Sequence, residues 1–322
     1  MDNDPVLMQE WFAVARASDV MPARPTAVRL LGRDLVLWRS NGSIHAWQDL
    51  CIHRGAKLSL GSVRDDCLVC PYHGWQYAAG GECVHIPAQP TQAPPVKAHA
   101  NVYKVEERYG LIWVCVGEPL IPVPQIAELV DSMYRKIIAG PYAMHAQGPR
   151  ILENFLDVGH LPIVHGGYLG DPAHARIEDY EVEMTEHGII ARDIPIWQPD
   201  PDGTSAAAKV FYTYEVHRPL LSSFLKQHNG QNFRMVYTAT PVDEQHSIAW
   251  AVLAMNYADD VPDAELLEFQ NRITAQDKPI VESQRPELLP LDLREELHLR
   301  SDKAAIAYRQ WLRQLGLKYG TA

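Results

Sequence analysis

Cys51-Ile52-His53-Arg54-Gly55 and Cys70-Pro71-Tyr72-His73-Gly74-Trp75 decide how this chain is read. Sixteen residues lie between His53 and Cys70, and each Cys–His pair is followed by a glycine suited to a tight turn. Zinc loops usually place two to four residues between ligands, so a Cys and a His as close as Cys51 and His53 do not easily wrap one tetrahedral ion. The same tight pairs suit a cluster of two irons, in which each loop sends its Cys to one iron and its His to the other. A Cys₂His₂ zinc site is the alternative.

The sequence flanking these loops reads as β. Leu35–Trp38 and Ile44–Trp47 surround Ser40-Asn41-Gly42-Ser43, a strong hairpin-turn signal. Trp75–Tyr77 and Cys83–Ile86 flank Gly80-Gly81, and Leu111–Val116 is a continuous apolar strand. Gly117-Glu118-Pro119-Leu120-Ile121-Pro122-Val123-Pro124 is a stiff connector, which places a domain boundary after residue 118. Beyond it, strands are expected at Phe211–Val216, Arg234–Ala239 and Ile248–Leu253. Helices are expected over about 262–284 and 302–315, the second with Ser301 as N-cap and Gly316 just past its end. Strands first and long helices last make the class α+β.

The 322 residues fit two domains, 1–118 and 119–322. Twenty-nine Lys+Arg against 40 Asp+Glu give a net charge of −11, a poor basis for nucleic-acid or anionic-membrane binding. Five Cys, an odd number, do not form a secreted disulfide framework, and Cys67, Cys83 and Cys115 read as inert thiols. Met1–Pro5 lacks the basic and apolar regions of a signal peptide, and the longest apolar run, Ile248–Met255, is too short for a bilayer, which needs about 20 residues. A cytoplasmic enzyme is the expectation.

A second constellation lies in Glu153-Asn154-Phe155-Leu156-Asp157-Val158-Gly159-His160-Leu161-Pro162-Ile163-Val164-His165. On a helix Asp157 and His160 share a face, whereas His165, five residues on, does not; Pro162 is expected to distort the helix so that both rings converge. Two neutral imidazoles and one carboxylate form the facial triad of non-heme Fe(II) oxygenases. Leu266, Phe269, Ile273, Asp277 and Ile280 step by 3, 4, 4 and 3, one apolar helix stripe with Asp277 in its middle. A carboxylate facing the core is costly unless it is paired or bound to metal, so Asp277 is either the third ligand or half of a buried salt bridge.

Together these stretches resemble the Rieske non-heme iron oxygenases: the Cys–His loops resemble that family's cluster loops, and Asn154-x-x-Asp157-x-x-His160-x-x-x-x-His165 its iron motif. The resemblance covers nearly the whole chain. It implies an all-β Rieske domain followed by a helix-grip (START-like) catalytic domain. Cys51, His53, Cys70 and His73 would hold a [2Fe–2S] cluster; His160, His165 and Asp277 would hold one mononuclear Fe(II). Ala56 and Tyr72 stand where high-potential respiratory Rieske proteins carry disulfide cysteines, which fits the lower-potential oxygenase type. By the same resemblance the enzyme is a homotrimer, with Asp157 bridging a cluster histidine of one subunit (His73) and an iron histidine (His160) of the next, and Asn154 beside the iron ligands. The chain has no strand-to-helix GxGxxG fingerprint, so NAD(P)H acts only through a separate reductase, with or without a ferredoxin. Arg54 and Lys57 could form a local basic patch for that partner.

The short chain resembles the α₃ group of vanillate and dicamba O-demethylases, toluenesulfonate monooxygenase and saxitoxin-pathway hydroxylases. The late stretches 285–291, 296–298 and 307–312 are most similar to the saxitoxin-pathway branch. The expected reaction is monooxygenation of a small aromatic or heterocyclic substrate, by hydroxylation or oxidative O- or N-demethylation. Arene cis-dihydroxylation is the alternative within the family, and a Rieske electron carrier without oxygenase activity the alternative outside it. Trp197, Phe211, His228, Asn229, Phe233 and Trp250 are candidates for the substrate pocket, whose residues the sequence does not fix.

Overall fold

The computed structural model describes residues 4–201 and 206–322. Met1 to Asn3, part of the N-terminal stretch read above, lie outside them. The chain forms two compact units, one ending at Val123 and one beginning at Pro124.

In the first unit β1 (Phe12–Arg16), β2 (Thr26–Leu30), β3 (Arg33–Ser40), β4 (Ser43–Gln48), β5 (Ser62–Arg64), β6 (Cys67–Val69), β7 (Gln76–Tyr77), β8 (Cys83–His85), β9 (Val102–Arg108) and β10 (Leu111–Cys115) form two antiparallel sheets. Their orders are β1-β10-β9-β4-β3-β2 and β5-β6-β7-β8. Asn41 (φ 47°) and Gly42 (φ 78°) make the two-residue turn that the right-handed twist of β3 and β4 favours. All five residues of β10 are buried, as its unbroken apolar sequence requires. The core joins Trp38, Trp47, Leu68 and Tyr77 to Cys51 and Cys70. Trp38 and Trp47 meet edge to face at 4.9 Å, and Trp47 meets Tyr77 likewise at 6.3 Å. The cluster loops thus rise from this buried core.

In the second unit β11 (Arg135–Met144), β12 (Glu181–Thr185), β13 (Gly188–Gln198), β14 (Ala208–Arg218), β15 (Leu221–His228), β16 (Gln231–Pro241) and β17 (Ser247–Met255) form, among the described residues, one antiparallel sheet ordered β11-β17-β16-β15-β14-β13-β12. The helices are α1 (Ala127–Val130), α2 (Gly148–Leu156), α3 (Leu161–Val164), α4 (Asp263–Ser283) and α5 (Lys303–Leu315). Both late helices fall where the pattern places them. α4 runs on through Pro279, but Ile280 is half exposed, so the functional stripe ends at Asp277. Ser301 is not the cap of α5: a short 3₁₀ turn, Arg300–Asp302, precedes it, and Asp302 accepts from Leu299 N–H instead. Gly316 closes α5 at φ 73°. No helix among the described residues is long and apolar enough to cross a membrane.

A buried ion network ties α5 to α2. Arg309 donates to both Glu153 oxygens (2.5 and 2.8 Å), to Glu296 and to Pro290 O. Arg150 donates to Glu296 (2.8 Å) and Pro286 O. The late stretches 285–291 and 296–298 therefore brace α2. Arg309→Met would leave the buried Glu153 carboxylate only its 3.4 Å contact with Arg150, and is expected to cost about 3–5 kcal/mol. Urea unfolding followed by tryptophan fluorescence measures this; an unchanged midpoint would show that the brace contributes no stability.

Candidate active site

The two Cys–His loops share one backbone frame. Cys51 N–H donates to Ala56 O (2.8 Å) and Cys70 N–H to Trp75 O (2.8 Å); Gly55 N–H donates to Cys51 O (2.9 Å) and Gly74 N–H to Cys70 O (3.1 Å). Gly55 and Gly74 sit at φ 72° and 69°, which a side chain would strain. The frames bring four side chains together, with Cys51 and Cys70 buried, His53 partly exposed and His73 exposed. The two imidazoles lie 4.6 Å apart, and Trp75 stacks flat on His53 at 4.4 Å. Desolvation, then the nearby His73 and Arg54, lower the His53 pKa and keep its ring neutral, the ligating form. His53 Nδ1 is buried without a hydrogen bond, and burial pushes the Cys70 thiol up, so a thiolate there needs a bound cation. These residues fit an iron–sulfur cluster.

The second group forms where a helix breaks. The expected continuous helix through Asp157 and His160 is not present: α2 ends at Leu156, Asp157 is its C-cap, and α3 begins after His160. The sequence itself disfavours continuity, since Gly159 and Pro162 both weaken a helix interior. Gly159 N–H donates to Asp157 Oδ1 at 2.7 Å, fixing the bend. The break lets both rings converge on α4. His165 Nε2 lies 3.0 Å and His160 Nε2 3.5 Å from Asp277 Oδ1. Among the described residues these three form the metal-ligand group, all donor atoms within 4.8 Å of one another. His165 Nδ1 sits 2.8 Å from Gln276 Oε1, and His160 Nδ1 3.5 Å from Asp157 Oδ2. Both rings therefore turn Nε2 inward and Nδ1 toward an oxygen acceptor, the arrangement that orients ligating histidines. Burial opposes charge on His160, but Asp157 and Asp277 hold its pKa above the ordinary value. Asp277 Oδ1 and His160 Nδ1 are buried without a completed hydrogen bond. A divalent cation satisfies such a donor set, and these residues fit ferrous iron.

The triad forms part of the wall of a cavity of about 440 Å³. The stripe Leu266, Phe269, Ile273 and Asp277 faces this cavity rather than a closed core. Phe155 lines it, stacked on Tyr237 at 4.9 Å and on Phe224 at 5.5 Å. Asn154 lines it, as expected of a residue beside the ligands. Of the six pocket candidates Phe233 alone lines it. His228 precedes the Asn229-Gly230 turn (φ 48° and 79°) of the β15–β16 hairpin, which is why that pair looked polar and unplaced. Trp197 stacks on His174, Phe211 is half exposed, and Trp250 is buried elsewhere in the sheet. Lys57 is taken up by Asp34 at 2.9 Å. Sequence reasoning missed Gln276, Gln198 and Gln270. Gln276 was findable as the neighbour of the proposed ligand. Gln198, buried and donating to Tyr212 OH (2.9 Å) and Leu169 O, had no signal beyond its strand.

Comparison with known proteins agrees with this layout. Residues 10–104 match the Rieske [2Fe-2S] domain, and residues 144–318 the vanillate O-demethylase oxygenase C-terminal domain. The methylxanthine N1-demethylase NdmA of Pseudomonas putida is 32% identical over 98% of this chain and 90% of its own. The methylxanthine N3-demethylase NdmB of the same organism is 30% identical over 91% and 83%. The solved structure of NdmA with caffeine superposes at TM-score 0.83, with 30% identity over 97% of this chain and 91% of that one. With likeness of this extent running through both halves, the chain belongs to the Rieske non-heme iron oxygenases, as an oxygenase component that joins a [2Fe–2S] cluster to a mononuclear iron and depends on a separate reductase for electrons.

Proposed function

We propose that this enzyme oxidatively demethylates a planar nitrogen heterocycle, N-methyl compounds being the first class. The observation that carries the reading is the aromatic-walled cavity with the His–His–carboxylate group in its wall. Its size suits one small ring system, and methylxanthine demethylases are among the relatives. Cys51, His53, Cys70 and His73 hold the cluster; His160, His165 and Asp277 hold the iron. The cluster domain is 1–118 and the catalytic domain 119–322, a division that differs from the compact units only within the proline-rich connector.

When bound, the cluster supplies single electrons and the ferrous ion activates dioxygen. The chain's own residues do the rest. Gln276 holds His165 in one tautomer. Asp157, its side chain 40% exposed, is open to a second partner besides His160. In a homotrimer that partner is the exposed His73 of the neighbouring subunit, which gives a route between chains. Such an enzyme works in the cytoplasm, beside its reductase. The aromatic wall keeps water from the methyl group being oxidised. One oxygen atom inserts into a C–H bond of the N-methyl group and gives N–CH₂OH; the other leaves as water, taking up two protons and the two electrons that NAD(P)H supplies by way of the reductase. The carbinolamine then splits to N–H and formaldehyde.

Elemental analysis of the intact enzyme should give three irons per chain, and His160→Ala with His165→Ala should leave two and abolish turnover. Two irons in the unaltered protein would exclude the oxygenase reading. With a surrogate reductase, oxygen uptake on an N-methyl heterocycle should match formaldehyde one to one; a cis-diol without formaldehyde would assign dihydroxylation instead. Gln270 lines the cavity seven residues, about 10 Å along α4, before Asp277, with its Nε2 donating to Thr274 Oγ1 at 3.2 Å, and on this reading its carbonyl oxygen is offered to the ring edge remote from the oxidised methyl. Gln270→Leu should raise KM roughly 2- to 10-fold with kcat little changed. An unchanged KM would remove Gln270 from substrate binding.

A further inference from the structure

Gln198 and Tyr212 both line the cavity, and both are buried, Gln198 at 1% exposure and Tyr212 at 3%. Gln198 Nε2 lies 3.3 Å from Leu169 O and 2.9 Å from the Tyr212 hydroxyl oxygen. A backbone carbonyl can only accept, so the end of the amide that faces Leu169 is its NH₂; turning the amide over would set two oxygens against each other. Nε2 carries two hydrogens, and these two bonds use both. Tyr212 is therefore the acceptor in its bond with Gln198, and its own O–H hydrogen is left over. Among the described residues no acceptor takes that hydrogen. Burial pushes the phenol pKa far above its ordinary value although the Gln198 amide pulls the other way, so the hydrogen stays in place. The ring is held by Phe224, which meets it edge to face at 5.1 Å, and by Tyr214, stacked at 5.8 Å. Leu169 N–H donates to His165 O (3.0 Å), which ties the series Leu169, Gln198, Tyr212 to the turn after His165. Tyr214 and Tyr237 also line the cavity, but no hydrogen bond among the described residues fixes the direction of their hydroxyls.

We propose that Tyr212 donates its hydroxyl hydrogen to a ring carbonyl of the substrate, and that Gln198 is the positioning residue that makes it a donor. The enzyme then selects N-methyl lactams and cyclic ureas over N-methyl heterocycles that carry no acceptor. The proposal rests on the N-demethylation reading of this cavity and adds to it the polarity of one contact. A ring without an acceptor leaves a buried hydroxyl hydrogen unpaired, and that penalty, more than the strength of the bond itself, is what a built polar site uses to discriminate. The amide supplies the direction at no cost on binding, because it is already held by Leu169 O before substrate enters. No proton is transferred: the hydrogen stays on Tyr212 throughout.

The test is anaerobic calorimetric titration of the full-length, iron-loaded enzyme with 1-methyl-2-quinolone, which has a ring carbonyl, and with 1-methylindole, which has no acceptor. The unaltered enzyme should bind the quinolone about tenfold more tightly than the indole. Tyr212→Phe keeps the ring and removes only the donor; it should abolish that preference by weakening the quinolone about tenfold and leave the indole unchanged. Gln198→Glu replaces the amide donor by an acceptor, so that Tyr212 gives its hydrogen to the carboxylate; it should lose the preference in the same way although Tyr212 is still present, which loss of packing alone would not produce. Infrared difference spectra of carbonyl-labelled quinolone add a direct readout: the bound C=O stretch should lie lower in the unaltered enzyme than in the Phe variant. A Phe variant with the preference intact overturns the proposal, and a Glu variant with the preference intact removes Gln198 from it. If the Phe variant does not fold, a bound C=O stretch in the unaltered enzyme no lower than in an apolar solvent overturns the proposal instead. Formaldehyde release from N-methyl heterocycles without any carbonyl preference would sink this inference and leave the demethylation reading standing; no binding of either compound and no formaldehyde from any N-methyl heterocycle would overturn both.

Discussion

Asp277 is a carboxylate on the inner face of an otherwise apolar helix, with one oxygen buried between two imidazole nitrogens. Left alone, such a group would cost several kcal/mol, and the histidines beside it would compete for protons rather than share one centre. A divalent cation resolves the conflict by accepting a lone pair from each donor. Much of the second unit can be understood as the means of holding these three donors in place. The seven-stranded sheet supplies the opposite wall, α4 supplies the carboxylate, and the broken segment between α2 and α3 supplies both rings.

The break has a cost in helix hydrogen bonds, which other contacts offset. Asp157 receives Gly159 N–H, and α2 is pinned by Glu153 to the guanidinium of Arg309. The same short segment thus carries a structural anchor at Glu153, cavity walls at Asn154 and Phe155, and an acceptor for His160 at Asp157. The acceptors behind the two rings are unlike. An amide behind His165 fixes orientation without adding charge, whereas a half-exposed carboxylate behind His160 can respond to a partner.

The parts of the fold that could be read from sequence are those set by local chemistry. Asn41-Gly42 marks its hairpin because both residues tolerate positive φ, and the stripe on α4 marks Asp277 because helical periodicity is strict. Turns without such residues escaped notice. Leu31-Gly32 and Tyr109-Gly110 also join adjacent strands at positive φ, but Leu and Tyr carry no turn preference of their own, so tertiary pairing imposes the geometry. The candidate ligands could be picked out because metal chemistry restricts residue type and spacing together. The cavity was not, because its wall is made of Tyr, Phe, Met and Leu from β14 to β17, residues that any buried strand would carry. Whether such a side chain faces core or cavity depends on how the sheet curves around α4, which no local pattern encodes. Ser301 is not a cap because the 3₁₀ turn Arg300–Asp302 precedes α5 and makes Asp302 the residue before its first turn, with the Asp302 side chain bonded back to Leu299 N–H.

The two centres solve opposite problems with opposite architectures. Electron entry requires an edge open to partners, and the cluster loops place the small, buried cysteines inward and the histidines at the surface, on a frame of short hairpins. Oxygen chemistry requires a dry, enclosed site, and the triad is set behind aromatic side chains at the junction of a sheet and two helices. His73 in the first unit and the half-exposed Asp157 in the second are polar groups that the two centres present to solvent.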